Sequence, residues 1–349
     1  MRSLGLYIHI PFCQSFCPYC DFYKVKKDEK LINEYKEAVV KTTASFNNDY
    51  LYDTVYFGGG TPSSIDGKYI AEILSSLKNI ADDAEITVEC NPSSDLAHFL
   101  PLVAEAGVNR VSIGMQSAVN DERRALGRLA DKEKVLEAVN LCHQNGIHNI
   151  SLDLMLGVPG QTMESLDESL DFVNSLDITH VSAYILKLEE GTVFYKRNQE
   201  NKLNLPDEDL VCDFYLRTIE KLNFDQYEIS NFAKPGYQSK HNLKYWHLDE
   251  YLGVGPAAHS FIDGKRFYYP SDIGAFISGN SPIPDGAGGD ENERIMLGLR
   301  LTEGISGFSK DVYEKAKDID KSLVIATPEN IRLTKQGFLV SNSIINKII

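Results

Sequence analysis

The sequence has no apolar run of about 18 residues, which excludes a membrane-spanning helix of ordinary length. It is also short of positive charge: 35 lysines and arginines are set against 50 acidic residues, and the formal net charge is −15. Such a chain lacks the basic face that non-specific binding to nucleic acid or anionic lipid requires. No small-residue cleavage site follows the N-terminus. We therefore expect a cytoplasmic protein with no nucleic-acid partner and no integral membrane segment.

Cysteine is scarce as well, with six residues in the whole chain. Three of them, Cys13, Cys17 and Cys20, lie close together, while Cys90 and the two later cysteines are scattered. A disulfide framework spreads its cysteines through a short secreted chain, so this distribution argues against one. The clustered cysteines instead indicate a set of ligands.

Apolar runs typical of strands alternate with amphipathic helical segments through residues 1–230. Strands are predicted at residues 4–10, 51–57, 85–89, 110–114, 150–155 and 180–186. Helices are predicted at residues 29–46, 67–79, 95–105, 131–144, 162–174 and 207–222. This pattern predicts an α/β fold with an incomplete parallel (β/α)6-type barrel. A doubly wound open sheet fits less well, because polar and glycine motifs follow strand after strand.

The rest of the chain divides into two parts. Residues 231–285 form an aromatic and histidine-rich connecting segment, and the glycine- and proline-rich stretch 278–290 predicts a linker. Residues 286–349 are expected to form a small α+β, winged-helix-like C-terminal domain. Helices are predicted there at residues 293–301 and 309–316, and a hairpin within residues 332–345, where Gly337 separates two apolar runs.

Cys13, Cys17 and Cys20 follow the first predicted strand directly, so three thiolates can converge on one inorganic centre. Structural zinc normally takes four protein ligands, and no fourth cysteine or histidine stands at zinc-finger or zinc-ribbon spacing. Ordinary iron–sulfur proteins also use four cysteines. A loop of three cysteines therefore favours a [4Fe–4S] cluster in which one iron has no protein ligand.

Polar residues stand at the ends of several predicted strands. The Gly-Gly-Gly-Thr-Pro run at residues 58–62 would let a ligand approach the backbone closely, although a tight turn explains the same run. Glu89, Gln116 and Asp153 stand in or after the next three strands, where a buried carboxylate must be paired or bound. A buried salt bridge is the alternative for each alone, and Arg128 would be a solvated helix residue if it stood alone. Together they are expected to line one cavity, in which Arg128 neutralises a carboxylate.

The C-x3-C-x2-C loop after a first strand resembles that of the radical S-adenosylmethionine (SAM) superfamily. The resemblance implies a radical SAM barrel in which the amino and carboxylate groups of S-adenosylmethionine chelate the open iron. An electron from the cluster then cleaves the sulfonium to give a 5′-deoxyadenosyl radical. Tyr19 matches the family's aromatic position near the adenine, and the glycine run matches the segment that holds the methionine amino group.

A longer series of segments resembles the oxygen-independent coproporphyrinogen III oxidase group. It runs from Tyr-Ile-His-Ile-Pro-Phe-Cys at residues 7–13 to Asp-Leu-Met-Leu-Gly-Val-Pro-Gly at residues 153–160. Within this group the sequence is most similar to the HemW haem chaperones, over nearly all of its length. By position, the resemblance implies that S-adenosylmethionine is surrounded by Tyr7, Tyr19, Gly59, Gly60, Thr61, Glu89, Gln116, Arg128 and Asp153.

Two features separate the chaperones from the oxidases. The oxidases resemble C-x3-C-x2-C-x-C, whereas Phe22 stands here in place of the fourth cysteine. Residues 241–246, His-Asn-Leu-Lys-Tyr-Trp, match the H-N-x-x-Y-W segment associated with haem binding in the chaperones. This match implies His241 as a candidate haem ligand, with Tyr245 and Trp246 packing on the porphyrin. The competing ligands are the histidines at positions 247 and 259, and a structural histidine in an aromatic cluster fits the same pattern.

Three functions follow from these resemblances. The favoured one is a haem chaperone that binds haem, a [4Fe–4S] cluster and S-adenosylmethionine, and that delivers haem to acceptor proteins such as respiratory proteins. Its rival is an oxygen-independent coproporphyrinogen III oxidase, in which the deoxyadenosyl radical abstracts a propionate hydrogen. The third is a radical enzyme acting on another substrate. Radical chemistry would need an electron donor, and the sequence assigns no catalytic residue.

Overall fold

The structure is a computed structural model that describes residues 1–46 and 49–349. Its strands are β1 (Arg2–Ile10), β2 (Phe12–Cys13), β3 (Val25–Lys26), β4 (Tyr50–Gly59), β5 (Ile80–Cys90), β6 (Arg110–Gln116), β7 (Asn149–Leu156), β8 (His180–Ile185), β9 (Asp225–Gln226), β10 (Asn231–Ala233), β11 (Tyr251–Val254), β12 (His259–Ile262), β13 (Lys265–Tyr268), β14 (Ile283–Ala287), β15 (Val324–Ala326) and β16 (Ile331–Leu333).

The helices carry the connections between these strands. They are α1 (Glu29–Ala44), α2 (Gly67–Ser76), α3 (Leu96–Glu105), α4 (Asn120–Ala125), α5 (Lys132–Gln144), α6 (Met163–Ser175), α7 (Val193–Gln199), α8 (Glu208–Lys221), α9 (Lys240–His247), α10 (Ile273–Ile277), α11 (Glu291–Gly298), α12 (Lys310–Lys317), α13 (Lys335–Leu339) and α14 (Ser341–Ile348). Short polar side chains cap the first turns of many of these helices. Asp28 accepts a hydrogen bond from the Leu31 N–H at the start of α1, and such a cap stabilises a helix by about 1 kcal/mol.

The centre of the fold is a run of six parallel strands. Over the described residues, one mixed sheet has the strand order β14-β13-β12-β11-β1-β4-β5-β6-β7-β8-β10-β9. Within it, β1, β4, β5, β6, β7 and β8 are parallel neighbours in chain order. Helical crossovers between parallel neighbours of this kind build a βα barrel. The predicted α/β fold with an incomplete (β/α)6 barrel is therefore confirmed.

Both ends of the parallel run are extended by other strands. At one end β10 joins β8 in antiparallel pairing, and β9 follows it. At the other end β11 pairs in parallel with β1, with Gly5 opposite Tyr251. Strands β12, β13 and β14 then continue the sheet in antiparallel pairing. Strands from residues 231–285 thus belong to the same sheet as the barrel.

The prediction of a linker at residues 278–290 is wrong for residues 283–287, which form strand β14. All five residues of β14 are exposed, and the strand pairs on one side only, with β13. An edge strand tolerates Pro284 and Gly286, because it has no second neighbour that needs their backbone groups. A proline- and glycine-rich composition therefore hides this strand from sequence reasoning.

The core lies between the parallel strands and the helices that cover them. Strand β6 is buried at all seven positions, and α2 packs against α1 and α3 on the outer layer. Apolar side chains such as Phe57 and Leu152 are completely buried. Each such side chain stabilises the fold by about 1.5–3 kcal/mol. This core fixes the strand ends that carry the polar residues.

The C-terminal region contains helices and one small hairpin, but the hairpin lies elsewhere than predicted. Strands β15 and β16 form it, with Ile325 opposite Arg332, while residues 335–348 form α13 and α14. The hairpin prediction for residues 332–345 is therefore wrong. Gly337 lies inside α13, where a Cβ would collide with the Leu323 carbonyl oxygen. Glycine serves close packing at this position, and it makes no turn.

No helix in residues 1–46 and 49–349 is long and apolar enough to cross a membrane.

Candidate functional site

The three clustered cysteines lie in a loop that is held at both ends. Strand β2 ends at Cys13 and pairs with β3, which closes the loop on its far side. Within the loop, the Lys24 Nζ donates hydrogen bonds to the carbonyl oxygens of Cys20, at 2.8 Å, and Phe22, at 3.0 Å. The Sγ of Cys13 lies 3.5 Å from the Thr61 Oγ1. Backbone pairing and the Lys24 hydrogen bonds hold the loop, and the Thr61 hydroxyl contacts the Cys13 thiol.

The three thiols line one cavity, which we call the cysteine cavity. Its wall includes eight of the nine residues predicted to surround S-adenosylmethionine: Tyr19, Gly59, Gly60, Thr61, Glu89, Gln116, Arg128 and Asp153. Within the described residues, no three His, Cys, Asp or Glu side chains converge closely enough to hold a single metal ion. A [4Fe–4S] cluster makes a different demand, because its thiolate ligands bind separate iron atoms.

The glycine run at residues 58–60 lets β4 approach β1 closely. A Cβ on Gly60 would lie 2.7 Å from the carbonyl carbon of Pro11 and 2.8 Å from the carbonyl oxygen of Ile10. Gly59 has φ +109°, and a Cβ there would collide with the His9 ring. The Gly60 N–H also donates to the Ile10 carbonyl oxygen at 2.9 Å. The run is therefore required by packing at the wall of the cysteine cavity.

Two carboxyl groups, Glu89 and Asp153, face the cysteine cavity. Glu89 accepts hydrogen bonds from the Tyr56 hydroxyl, at 2.9 Å, and from the Gly59 N–H, at 3.1 Å. Burial raises the pKa of Glu89 to about 7, and the negative charge of Asp153 adds to the shift. Burial likewise raises the pKa of Asp153 to about 6, although Ser112 donates a hydrogen bond to it at 3.0 Å. Close to neutral pH, both groups can therefore exchange protons.

Gln116 and Arg128 complete this wall. The β6–β7 register shifts between Gly114 and Gln116, and Gln116 has φ +70°, which is rare for a residue other than glycine. This bulge lies at the cysteine cavity, where the Gln116 Oε1 accepts from the Tyr184 hydroxyl at 2.8 Å. Arg128 donates to the Gly114 carbonyl oxygen and lies 3.9 Å from the Cys17 Sγ. One positive charge thus stands beside a thiol of the loop.

A second cavity, of about 660 Å³, opens beside the first. We call it the histidine cavity, because His9, His241 and His259 all line it. Tyr7, predicted to contact S-adenosylmethionine, lines this cavity and does not line the cysteine cavity. Tyr245 also lies in its wall, whereas Trp246 does not. Trp246 is five residues along α9 from His241, so the two side chains leave the helix in different directions.

His241 is held tightly in the structure. Only 1% of it is exposed, its Nδ1 lies 2.7 Å from the Thr54 Oγ1, and its Nε2 lies 2.8 Å from the Tyr245 hydroxyl. Its ring stacks on Tyr56 with centroids 5.2 Å apart. Burial lowers the pKa of His241 to about 3, and the nearby Lys244 ammonium adds to the shift. The imidazole is therefore neutral, with both nitrogens hydrogen-bonded.

The two competing histidines differ in position. His247 lies outside the histidine cavity, and its Nε2 is 3.1 Å from a Glu303 carboxylate oxygen. His259 is exposed, lines the cavity and stacks on Tyr268 with ring centroids 5.2 Å apart. Phe22, in place of a fourth cysteine, is 61% exposed and borders both cavities. The side chain that distinguishes this loop from that of the oxidases thus lies between the two cavities.

Sequence reasoning missed several residues of these walls. Tyr56 contacts both Glu89 and His241, and Tyr184 holds Gln116. Tyr56 lies two residues before the glycine run on β4, so the alternation of a strand places it on the same face as Gly58. That alternation could have identified Tyr56. Tyr184 stands in an apolar strand with no motif around it, and only the sheet order reveals its position.

Comparisons with known proteins agree with this architecture. The family model of the radical SAM superfamily matches residues 7–173. The heme chaperone HemW of Bacillus subtilis is 35% identical, over 97% of this chain and 97% of its own. The HemW of Escherichia coli is 37% identical, over 76% of this chain and 72% of its own. The chain belongs to the HemW family of haem chaperones.

The fold of this HemW-family chain is also found in a solved structure. Coproporphyrinogen III oxidase (HemN) from Escherichia coli, a radical SAM enzyme, superposes with a TM-score of 0.82. The match covers 99% of this chain and 90% of the oxidase at 21% sequence identity. At this identity the likeness establishes a shared fold. Function has to be argued from the site.

The cysteine cavity fits the two cofactors that radical SAM membership implies. Three thiols from one pinned loop face it, which matches the donor set of a cluster with one iron free of a protein ligand. Burial raises the pKa of Cys13 and Cys20, so cluster binding in this HemW-family protein would displace thiol protons. Carboxyl, amide and guanidinium groups line the same cavity and can bind a zwitterionic amino acid.

Proposed function

We propose that this protein is a cytoplasmic haem chaperone that binds haem in the histidine cavity and delivers it to acceptor proteins. In this proposal Cys13, Cys17 and Cys20 hold a [4Fe–4S] cluster, and S-adenosylmethionine binds in the cysteine cavity. When bound, these two groups supply one-electron radical chemistry, for which an electron donor is needed. The names of the HemW relatives support the haem part of the proposal.

The observation that carries the proposal is the histidine cavity itself. At about 660 Å³, it is more than twice as large as the 290 Å³ cavity that adjoins it. Tyrosines and histidines dominate its wall, and these side chains offer both flat apolar faces and ligands for iron. A broad aromatic ligand with a central metal is the kind of molecule that such a wall fits.

His241 is proposed as a ligand of the haem iron. Iron takes a neutral imidazole, and burial keeps His241 in that form. Its Nε2 would have to exchange the Tyr245 hydroxyl for the iron, while Thr54 keeps Nδ1 in place. Tyr7 and Tyr245 line the same cavity and would contact the ring. Trp246 would contact haem only after α9 had turned, because it lies outside the cavity wall.

Around S-adenosylmethionine, the chain's own residues have distinct parts in the proposal. The backbone at Gly59, Gly60 and Thr61 forms one wall of the cysteine cavity, and Tyr19 of the cysteine loop also lines this cavity. Glu89 and Asp153 accept protons and hydrogen bonds, while Gln116 offers an amide beside them. Arg128 supplies positive charge to a carboxylate in the cysteine cavity and to the Cys17 thiol. Tyr7 would reach S-adenosylmethionine only across the boundary of the two cavities.

A haem titration tests the proposal. Haem is added to wild-type protein, to His241→Ala and to His247→Ala, and the Soret band is followed to saturation. We expect one haem per chain in the wild type, a lost or shifted Soret band in His241→Ala, and wild-type behaviour in His247→Ala, whose imidazole lies outside the cavity. Absence of haem binding by the wild type would overturn the proposal. An unchanged His241→Ala spectrum would exclude His241 as the ligand.

The alternative function is oxygen-independent oxidation of coproporphyrinogen III. The shared fold with the Escherichia coli oxidase supports testing it. Cluster-reconstituted protein is incubated anaerobically with coproporphyrinogen III, S-adenosylmethionine and a reductant, and protoporphyrinogen is measured. Turnover would contradict a function limited to haem delivery. Cleavage of S-adenosylmethionine without haem affinity would indicate a radical enzyme for another substrate.

A further inference from the structure

A third cavity, of about 290 Å³, lies inside the barrel between the two already described. We call it the Arg110 cavity after the residue at its base. It shares Tyr56 and Asn242 with the histidine cavity, and Ser112 and Asp153 with the cysteine cavity. The Arg110 cavity therefore connects the proposed haem site with the proposed S-adenosylmethionine site.

Arg110 is the first residue of β6, and only 2% of it is exposed. No hydrogen bond joins its guanidinium to any described residue, and its Nε is a buried donor without a partner. The nearest carboxylate oxygen, from Glu85, lies 3.9 Å from Nε, which is beyond hydrogen-bond distance. Other arginines behave differently: Arg217 makes two hydrogen bonds of 2.8 Å to Asp167. Glu85 therefore forms a long ion pair with Arg110 but accepts no hydrogen bond from it, so the buried guanidinium keeps hydrogen-bond donors for a ligand.

The side chains around Arg110 balance part of its charge but accept no hydrogen bond from it. Glu85 accepts from the backbone N–H groups of Lys240 and His241, at 3.2 and 3.1 Å, and so caps α9. His180 is hydrogen-bonded to Ser151 and Tyr227, and burial and the Arg110 charge lower its pKa, so that it is uncharged.

Three more polar groups face the Arg110 cavity from other strands. Glu89 and Asp153 line this cavity, and their carboxyl groups repel an anion when they are ionised. Burial raises the pKa of both carboxyl groups, so a larger fraction of each is protonated and the repulsion of an anion is weaker. The Asn231 Oδ1 is a buried acceptor without a partner, while its amide group donates toward Glu228. The Arg110 guanidinium therefore supplies the donors for an anionic ligand.

We propose that the Arg110 cavity binds a carboxylate, namely a propionate of the tetrapyrrole whose ring occupies the histidine cavity. A guanidinium pairs with a carboxylate through two parallel hydrogen bonds, which satisfies its donors. A propionate is a flexible arm on a flat apolar ring, and the shared walls at Tyr56 and Asn242 let one molecule enter both cavities. The inference rests on the proposed haem function and adds the residue that recognises the carboxylate.

The test compares two ligands that differ only in the carboxylates. Haem and haem dimethyl ester are titrated into the full-length wild type, Arg110→Gln, Arg110→Lys and, as a control, Arg124→Gln, whose side chain is 73% exposed. We expect the wild type to bind haem about tenfold or more tightly than the ester, because hydrogen bonds between charged groups are strong. Arg110→Gln removes this preference by weakening haem alone. Arg110→Lys keeps part of it, and Arg124→Gln keeps all of it.

Each other result has a definite meaning. Equal affinity of the wild type for both ligands overturns the inference. A preference that survives in Arg110→Gln overturns it too. If Arg110→Gln does not fold, Arg110→Lys decides the question, since it keeps a positive charge near Glu85. A preference for haem that is smaller than in the wild type supports the inference, and an unchanged preference overturns it. If the wild type binds neither ligand, the proposed haem function itself fails.

Discussion

The raised pKa of Glu89 predicts a specific dependence of stability on pH. Glu89 has an ordinary pKa of 4.5, and burial raises it to about 7 in the folded chain. Between these values the unfolded chain ionises Glu89 while the folded chain keeps it protonated. Folding stability from this group is therefore complete below pH 4.5 and is lost as the pH rises through 7.

The loss can be worked out by linkage. It amounts to about 2 kcal/mol near pH 6 and to about 3 kcal/mol near pH 8.5. Glu89→Gln has no proton to exchange, and it keeps the contacts, because its Oε1 can accept from the Gly59 N–H while its Nε2 donates to the Tyr56 hydroxyl. We therefore expect Glu89→Gln to be more stable than the wild type, by a margin that grows by about 1 kcal/mol between these two pH values.

Urea denaturation of the cluster-free protein, without S-adenosylmethionine, measures this margin at both pH values. Glu105→Gln is the matched control, because it removes an exposed carboxyl at the end of α3. Its difference from the wild type is expected to stay constant. A margin for Glu89→Gln that also stays constant, or that shrinks at high pH, would refute the assignment of a raised pKa.

Three further predictions concern the loop, the glycine run and the histidine. Alanine in place of any of the three loop cysteines should abolish the iron content and the visible absorbance of the reconstituted protein, whereas Cys212→Ala on α8 should leave both unchanged. Gly60→Ala should cost about 1–3 kcal/mol in urea denaturation, because its Cβ meets fixed backbone. Gly274→Ala, whose Cβ would meet only the Asp272 carboxylate, at 3.3 Å, should cost less, and equal losses would contradict the packing argument. Tyr245→Phe frees the His241 Nε2 and should tighten haem binding by about two- to tenfold in a Soret titration; weaker binding would show that the hydroxyl itself helps to hold haem.

The fold followed from the sequence where the pattern was regular. The six parallel strands were predicted because apolar runs and amphipathic segments alternate, and β4 ends in the glycines that the pattern indicated. The predictions were wrong where one residue type is compatible with two kinds of local structure. Gly337 suggested a turn, but it lies in α13 against the Leu323 carbonyl group. Pro284 suggested a linker, but it lies in an edge strand.

The site could be predicted only as far as its motifs extend. The cysteines and eight residues of the cysteine cavity stood in recognisable segments, and the structure brings them together. Arg110 begins the recognised segment of residues 110–117, but its burial and its role were not predicted, because a charged residue at the start of a strand is usually exposed. Its burial depends on its neighbours: residue 110 pairs with Thr87 of β5 on one side and with Asn149 of β7 on the other. No local pattern contains this information.

The pairing of β1 with β11 sets an order of assembly during synthesis. Gly5 leaves the ribosome among the first residues, but its partner Tyr251 is made only after most of the chain. Every residue that lines the cysteine cavity precedes α9, whereas α9 and residues 251–271 contribute to the histidine cavity. Domains generally fold from the N-terminus during synthesis. In the proposed function, the residues for the cluster are therefore synthesised before the last residues of the haem site.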